Sequence, residues 1–276
     1  MMKLVADSSA NLTALEGVTY QSVPMTIRAG ERDFVDDETL DTHELLDDLA
    51  AHNGRSGTAC PSLDGWLKAF EGADEIFVLT ISSNLSGTYT SAMAARGVYL
   101  QSHPDVRIHV FDTLSTGPEM QLLAEKLTAL HAKGLPFDAI CEKGREYLAT
   151  TRIFFSLKSL HNLAQNGRVS KLTAGAIGIL GIQILSTGSR EGTIQPVEKC
   201  RGEKKTRAAM LQSILDTGYR GGKVRIHHAE NPEAAGALAM SLRERFPEAD
   251  IEIRPCAGLC SYYAERGGVI VGLETM

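Results

Sequence analysis

The chain has 276 residues, of which 43% are hydrophobic and 22% are charged, and its formal net charge at pH 7 is −6. This length allows one large domain or two ordinary ones, and the composition is that of a soluble globular protein. The negative charge argues against nucleic acid as the main partner, because binding to a phosphate backbone needs a basic surface.

The first half of the chain alternates predicted strands with predicted helices. Strands are predicted at 3–6, 22–27, 76–81 and 106–111, with a short extended piece at 34–37. Helices are predicted at 42–51, over the segment with Trp66 and Phe70, from Ser86 or Thr88 past Ala95, at 119–132 and at 137–150. This order of strands and helices predicts a mostly parallel sheet with helices on both faces.

The pattern changes at residue 151. Strands are predicted at 152–157, 183–187, 193–199, 223–228, 251–253 and 268–273, and helices at 160–164, 204–216 and 232–246. The strands at 183–187 and 193–199 flank a Gly-Ser-Arg-Glu-Gly turn and are predicted to pair. Segment 174–180 is apolar and rich in small residues, which favours close helix packing, although small residues also leave room beside a ligand. We therefore predict two domains, an N-terminal α/β domain at 1–150 and a C-terminal mixed α/β domain at 151–276.

The sequence predicts no integral membrane segment and a cytoplasmic location. The N-terminus lacks the long apolar core of a signal peptide, and glycine and polar residues interrupt the longest uncharged stretch, between Lys171 and Arg190. The five cysteines are odd in number and scattered along the chain, which predicts reduced thiols.

A turn rich in hydroxyl groups follows the predicted strand at 76–81. It contains Ser82, Ser83 and Ser86 and leads into a predicted helix. The first N–H groups of a helix lack partners within it, and the helix dipole adds partial positive charge. Together with the hydroxyls they suit a carboxylate or a phosphate, and ligands of open α/β sheets collect at the carboxyl ends of strands. An ordinary capped loop is the alternative interpretation.

Other chemistry has weaker support. Ser83 or Ser86 could serve as a nucleophile with Asp7 or Asp112 at a strand end, but Gly-x-Ser-x-Gly is absent. The histidines at 227 and 228 and the cysteines at 256 and 260 lack the further ligands of a zinc site. For that reason the sequence predicts no metal. No Gly-x-Gly-x-x-Gly or Walker motif occurs either, so the sequence predicts no nucleotide cofactor.

The chain resembles the DegV family of bacterial fatty-acid-binding proteins, nearly from end to end. The resemblance is carried by Asp7-Ser8-Ser9, Val23-Pro24-Met25, Thr58-x-x-Pro61-Ser62, Ile81-Ser82-Ser83-Asn84-Leu85-Ser86-Gly87-Thr88-Tyr89, Gly167-Arg168-Val169-Ser170, Lys199-Cys200-Arg201-Gly202-Glu203-Lys204-Lys205 and His228-Ala229-Glu230-Asn231.

The resemblance implies a carrier and not a catalyst. It implies two α/β domains that enclose one long-chain fatty acid, with the carboxylate on hydroxyl groups and the tail in an apolar tunnel closed by the C-terminal domain. Some members of the family present the acid to a fatty-acid kinase, which phosphorylates the carboxylate. By the resemblance, Thr58 and Ser83 bind the carboxylate, Ser86 and Gly87 lie in the adjoining turn, and Tyr263 lies at the head group.

Near its end the chain departs from the family pattern. The family's His-x-Gly-Pro-Gly is replaced here by Tyr263-Ala264-Glu265-Arg266-Gly267. A tyrosine hydroxyl can donate a hydrogen bond but cannot become a cation as histidine can. Glu265 would repel a nearby carboxylate unless Arg266 offsets it, and Arg266 could point either inward or outward. Alternatively, Tyr263 only packs in the core.

Two other functions remain open from the sequence. One is an enzyme that acts on a small anionic or acyl substrate through Ser83 or Ser86. The other is a docking module that uses the basic cluster from Lys199 to Arg207.

Overall fold

The computed structural model describes residues 1–52, 54–170 and 181–275, so the segment 174–180 lies outside the described residues. The strands are β1 Met2–Asp7, β2 Thr19–Val23, β3 Thr26–Ala29, β4 Arg32–Val35, β5 Ser56–Ala59, β6 Glu75–Thr80, β7 Arg107–Asp112, β8 Thr151–Leu157, β9 Ile182–Gly188, β10 Ile194–Arg201, β11 Val224–His228, β12 Ile251–Pro255 and β13 Val269–Glu274. The α-helices are α1 Thr42–Ala51, α2 Leu63–Phe70, α3 Thr88–Ser102, α4 Pro118–Ala132, α5 Phe137–Ala149, α6 His161–Gln165, α7 Glu203–Asp216, α8 Pro232–Arg245 and α9 Gly258–Ala264.

The first sheet is parallel, as predicted. Its order is β2-β1-β6-β7, and every pairing within it is parallel. Alternate side chains of β1 and β6 point to opposite faces. Leu4 and Phe77 belong to the core that α4 and α5 cover, whereas Val5 and Ile76 belong to the core that α2 and α3 cover. Helices on both faces are therefore confirmed.

The single strand predicted at 22–27 is wrong. The structure divides it at Pro24, so that β2 stays in the parallel sheet and β3 joins a three-stranded antiparallel sheet of order β4-β3-β5. Proline has no N–H for a strand ladder, which explains the break. The new sheet places Thr58 of β5 opposite Ile27 of β3.

The second sheet is mixed, as predicted for the C-terminal part. Its order is β10-β9-β8-β13-β11-β12, and among these strands β11 and β12 pair in parallel while the other pairs are antiparallel. The predicted pairing of 183–187 with 193–199 is confirmed by β9 and β10. Helices α7 and α8 pack on one face through Met210 and Leu238. The opposite face carries Ile153, Phe155 and Leu157 and faces the N-terminal part.

Helix α9 was not predicted, and its stabilisation comes from far along the chain. Asp36 follows β4 and accepts hydrogen bonds from the N–H groups of Gly258, at 2.7 Å, and Leu259, at 3.0 Å. Burial raises the pKa of Asp36. A carboxylate at a helix N-terminus satisfies unpaired N–H groups and interacts favourably with the helix dipole. Local sequence shows no such cap, because Asp36 lies 222 residues earlier than Gly258.

Within the described ranges, no helix is both long and apolar enough to cross a bilayer. The basic cluster from Lys199 to Arg207 lies at the end of β10 and the start of α7, where its lysines are exposed.

Candidate functional site

An apolar cavity lies between the carboxyl ends of the parallel strands and the free face of the second sheet. Its apolar lining includes Ile81 and Leu85 after β6 and Ile153, Phe155 and Leu157 on β8. The three β8 residues alternate along the strand and therefore share one face, as the pleat of a strand requires. The side chains that line the cavity are therefore those expected of a hydrophobic tunnel.

The cavity is elongated along β8. Ile153 and Leu157 are four residues apart, which corresponds to roughly 13 Å along a strand. Beyond Leu157 the chain enters α6, which contacts β5, and this end lies beside Thr58. Ile153 lies at the other end, near Leu114, which follows β7 at the far edge of the parallel sheet.

At the Leu157 end, two hydroxyl groups face each other. The Oγ1 atom of Thr58 lies 2.9 Å from the Oη atom of Tyr263, and both residues are partly buried and line the cavity. They come from β5 and α9, which are far apart in sequence. The structure therefore brings the predicted pair Thr58 and Tyr263 together.

Arg168 lines the same cavity, and sequence analysis missed it as a site residue. Its Nη1 atom donates to the carbonyl of Asn166 at 2.6 Å. The Asn166 side chain donates in turn to the hydroxyl of Tyr262 at 2.8 Å, and that hydroxyl lies 2.8 Å from Ser56 Oγ. These contacts join α6, α9 and β5 around a guanidinium group. The sequence did contain a signal for Arg168, since this residue belongs to one of the motifs that carry the DegV resemblance.

The hydroxyl-rich turn divides between the cavity and the surface. Ser86 lines the cavity, and its hydroxyl lies 2.8 Å from that of Thr88. Ser83 and Gly87 are exposed and lie outside the cavity lining. The backbone N–H of Ser83 donates to Asp112 Oδ1 at 3.1 Å. The predicted cap of α3 by Ser86 or Thr88 is wrong, because the helix begins after Gly87 without a side-chain cap.

Two other polar side chains of this turn form hydrogen bonds with the backbone elsewhere in the chain. Ser82 Oγ donates to the carbonyl of Gly192 at 2.7 Å, and Asn84 Nδ2 donates to that of Glu191 at 2.6 Å. Both acceptors lie in the turn between β9 and β10. These hydroxyl and amide groups therefore hold the two sheets together.

The strand-end aspartates support loops. Asp7 is fully buried and accepts hydrogen bonds from the N–H groups of Ser9, at 2.9 Å, and Ile81, at 2.7 Å. Burial raises the pKa of Asp7 to about 6, and these hydrogen bonds oppose the rise. Asp112 accepts from the N–H of Leu114 at 3.2 Å, in addition to that of Ser83.

The Glu265-Arg266 segment turns away from the cavity. The Glu265 carboxylate accepts from the backbone N–H of Asn162, in the first turn of α6, at 3.1 Å. Arg266 is exposed and pairs with Glu230 and Asp47, each at 2.6 Å. Of the two orientations open from the sequence, the outward one is correct. Charge compensation explains it, because two carboxylates at the surface attract Arg266.

No group of three or more His, Cys, Asp or Glu side chains in the described part of the chain could hold a metal ion. Among the described residues, the polar groups at the Leu157 end are hydroxyl groups and the guanidinium of Arg168. A guanidinium with hydroxyl donors is suited to binding a carboxylate or a phosphate.

The chain matches a family model described as "Uncharacterised protein, DegV family" over residues 1–275. It is 41% identical over 276 residues to a DegV domain-containing protein of Streptococcus pneumoniae, covering 99% of this chain and 98% of the relative. Among solved structures it is similar to a DegV family protein from Eubacterium eligens loaded with heptadecanoic acid, with 47% identity, a TM-score of 0.98 and full coverage of both chains, 100% each.

Another similar structure is the Streptococcus pneumoniae Fatty Acid Kinase (Fak) B3 protein loaded with linoleic acid. Its identity to this chain is 40% and its TM-score is 0.97, over 100% of this chain and 99% of that one.

Proposed function

Because this chain belongs to the DegV family, we propose that it binds one long-chain fatty acid or a similar acyl lipid in the cavity between its two parts, residues 1–150 and 151–276. The observation that carries the proposal is the cavity itself, which is apolar along β8 and has Thr58, Tyr263 and Arg168 at one end. The structurally similar proteins loaded with heptadecanoic and linoleic acids support it.

The tail supplies most of the affinity. Each buried methylene contributes about 0.8 kcal/mol, so a long acyl chain gains on the order of 10 kcal/mol before the entropy losses of binding. A hydrogen bond to a charged group contributes roughly 1.5–3 kcal/mol. The polar end therefore fixes the orientation of the ligand more than it holds the ligand in place.

In the proposed complex the carboxylate lies against Thr58, Tyr263 and Arg168. The two hydroxyls donate hydrogen bonds and Arg168 supplies the positive charge that a family histidine could otherwise give. Ser86 contacts the ligand from the turn after β6. We assign Ser83 and Gly87 to shaping that turn, because both are exposed.

An enzyme acting through Ser83 or Ser86 has less support. Nucleophilic serine needs a general base within hydrogen-bonding distance. The hydroxyl of Ser86 instead lies beside that of Thr88, which is no base, and Ser83 is at the surface. We therefore propose a lipid carrier without catalytic residues.

We further propose a fatty-acid kinase as a partner, on the basis of the relative named as a Fatty Acid Kinase B3 protein. The proposed location is the cytoplasm. The five free cysteines support a reducing compartment.

The test is native mass spectrometry of protein purified from cells, followed by uptake of added fatty acids. We expect a co-purified acyl lipid. We also expect Arg168→Gln to weaken binding by roughly one to two powers of ten, because it removes a charge-assisted hydrogen bond. The matched control is Arg207→Gln, since Arg207 lies on α7 and outside the cavity lining. A protein that is always empty and takes up no fatty acid would refute the function.

A further inference from the structure

The cavity ends in a thin wall at its Ile153 end. We define the tail-end wall as Leu114, Ile153 and Gly188. These three residues line the apolar cavity and also line a second cavity. We call the second one the outer cavity, and its remaining lining includes the arginines Arg145, Arg152 and Arg190. A single layer of residues therefore separates apolar space from polar space.

The wall is tightly built. Gly188 lies at the end of β9 opposite Ile153, and a Cβ atom at this position would come within 2.9 Å of Ile153 Cγ2. Gly192, which also lines the apolar cavity, lies against Leu114, where a Cβ atom would come within 2.8 Å of the Leu114 Cα atom. Larger residues at either glycine would collide with the wall as it stands.

Leu114 is held in an unfavourable backbone conformation. Its φ is +51°, in the left-handed region that residues other than glycine rarely adopt. The carboxylate of Asp112 accepts a hydrogen bond from the Leu114 N–H at 3.2 Å. Strained backbone of this kind persists where the surrounding structure determines it, and such residues cluster at functional sites.

The wall lies far from the polar end. Leu114 follows β7, the edge strand of the parallel sheet. Along β8, Ile153 lies four residues from Leu157, which is roughly 13 Å. Ser115 also lines this end, but its hydroxyl donates to the Glu119 carboxylate.

We propose that the tail-end wall of Leu114, Ile153 and Gly188 sets the longest acyl chain that the cavity accepts. This inference rests on the proposed function. An acid whose carboxylate lies at Arg168 extends its tail along β8 and meets the wall. Each methylene up to the wall gains burial, whereas a longer chain must bend within the cavity or displace the wall.

The experiment measures affinities for saturated acids of about 12 to about 22 carbons, where each added methylene should strengthen binding about fourfold until the wall is reached. In wild-type protein we expect the affinity to rise with the length of the acyl chain and to fall once the chain exceeds a certain length. In Ile153→Ala the cavity opens toward the outer cavity, and we expect the fall to begin about two carbons later.

The matched control is Ile270→Ala. Ile270 is 7% exposed against 5% for Ile153, and it lines the apolar cavity but not the outer one. We expect it to leave the length limit unchanged. A second variant, Leu114→Gly, removes a wall side chain and relieves the left-handed strain, so it should keep the fold and shift the limit in the same direction.

The outcomes separate the two proposals. If wild-type protein binds the acids but neither wall variant shifts the limit, or Ile270→Ala shifts it equally, the wall inference is overturned and the function stands. If wild-type protein binds no acid of any length, both are overturned.

Discussion

At the scale of single residues, Tyr263 and Thr58 present two neutral hydroxyl groups where the ligand head group is proposed to bind. Removing one of them in Tyr263→Phe should weaken fatty-acid binding by about 1.5–3 kcal/mol, the contribution of one hydrogen bond to a charged carboxylate. Arg266→Ala should leave the affinity unchanged, because Arg266 pairs with Glu230 and Asp47 at the surface. Isothermal titration calorimetry with one acid measures both variants.

The same pair of variants can disprove this arrangement. A larger loss for Arg266→Ala than for Tyr263→Phe would mean that Arg266 turns inward when the ligand binds. A fatty alcohol that bound as tightly as the acid would show that the polar end has no preference for an anion.

At the scale of elements, α9 depends on Asp36. Asp36→Ala should lower the free energy of unfolding by roughly 1–3 kcal/mol, because it leaves two buried N–H groups unpaired. It should also weaken ligand binding, since α9 carries Tyr263. The matched control is Asp41→Ala, which removes the exposed cap of α1 and should cost about 1 kcal/mol of stability without weakening binding. Chemical denaturation and ligand titration of both variants measure these effects.

Equal losses of ligand affinity in the two variants would contradict this role for Asp36. They would indicate a general loss of stability and not a specific displacement of α9.

The same elements show how far the sequence predicts the structure. The apolar pattern located α1, α4, β1, β6 and β7 closely, because these elements bury regular stripes or runs of apolar side chains. It could not locate α9, whose stability depends on the Asp36 carboxylate, which follows β4. Nor could it show that Ser82 and Asn84 bind the β9–β10 turn, since those contacts form only after the two sheets pack together. The motif with Arg168 was visible, but its place in the cavity depends on α6 and Tyr262.

At the scale of the whole molecule, one hydrophobic core contains buried residues from both parts of the chain. Leu259 and Tyr262 of α9 belong to the hydrophobic core of the parallel sheet. Helix α4 packs against β13 of the second sheet, and the Nε2–H of His227 on β11 donates to Gln121 Oε1 on α4 at 2.9 Å. Separating the halves would expose these surfaces and leave polar groups such as His227 without partners.

We therefore expect the protein to unfold in a single transition despite its two sheets. Trp66 is the only tryptophan and is fully buried under the parallel sheet, so its fluorescence reports the N-terminal part, while calorimetry reports the whole molecule. The two midpoints should coincide. A fatty acid at about 100 times its Kd should stabilise the folded state by about 2.7 kcal/mol and raise both midpoints together. Two separate calorimetric transitions, with only one of them following Trp66, would show that residues 1–150 and 151–276 fold independently and that the shared core contributes little.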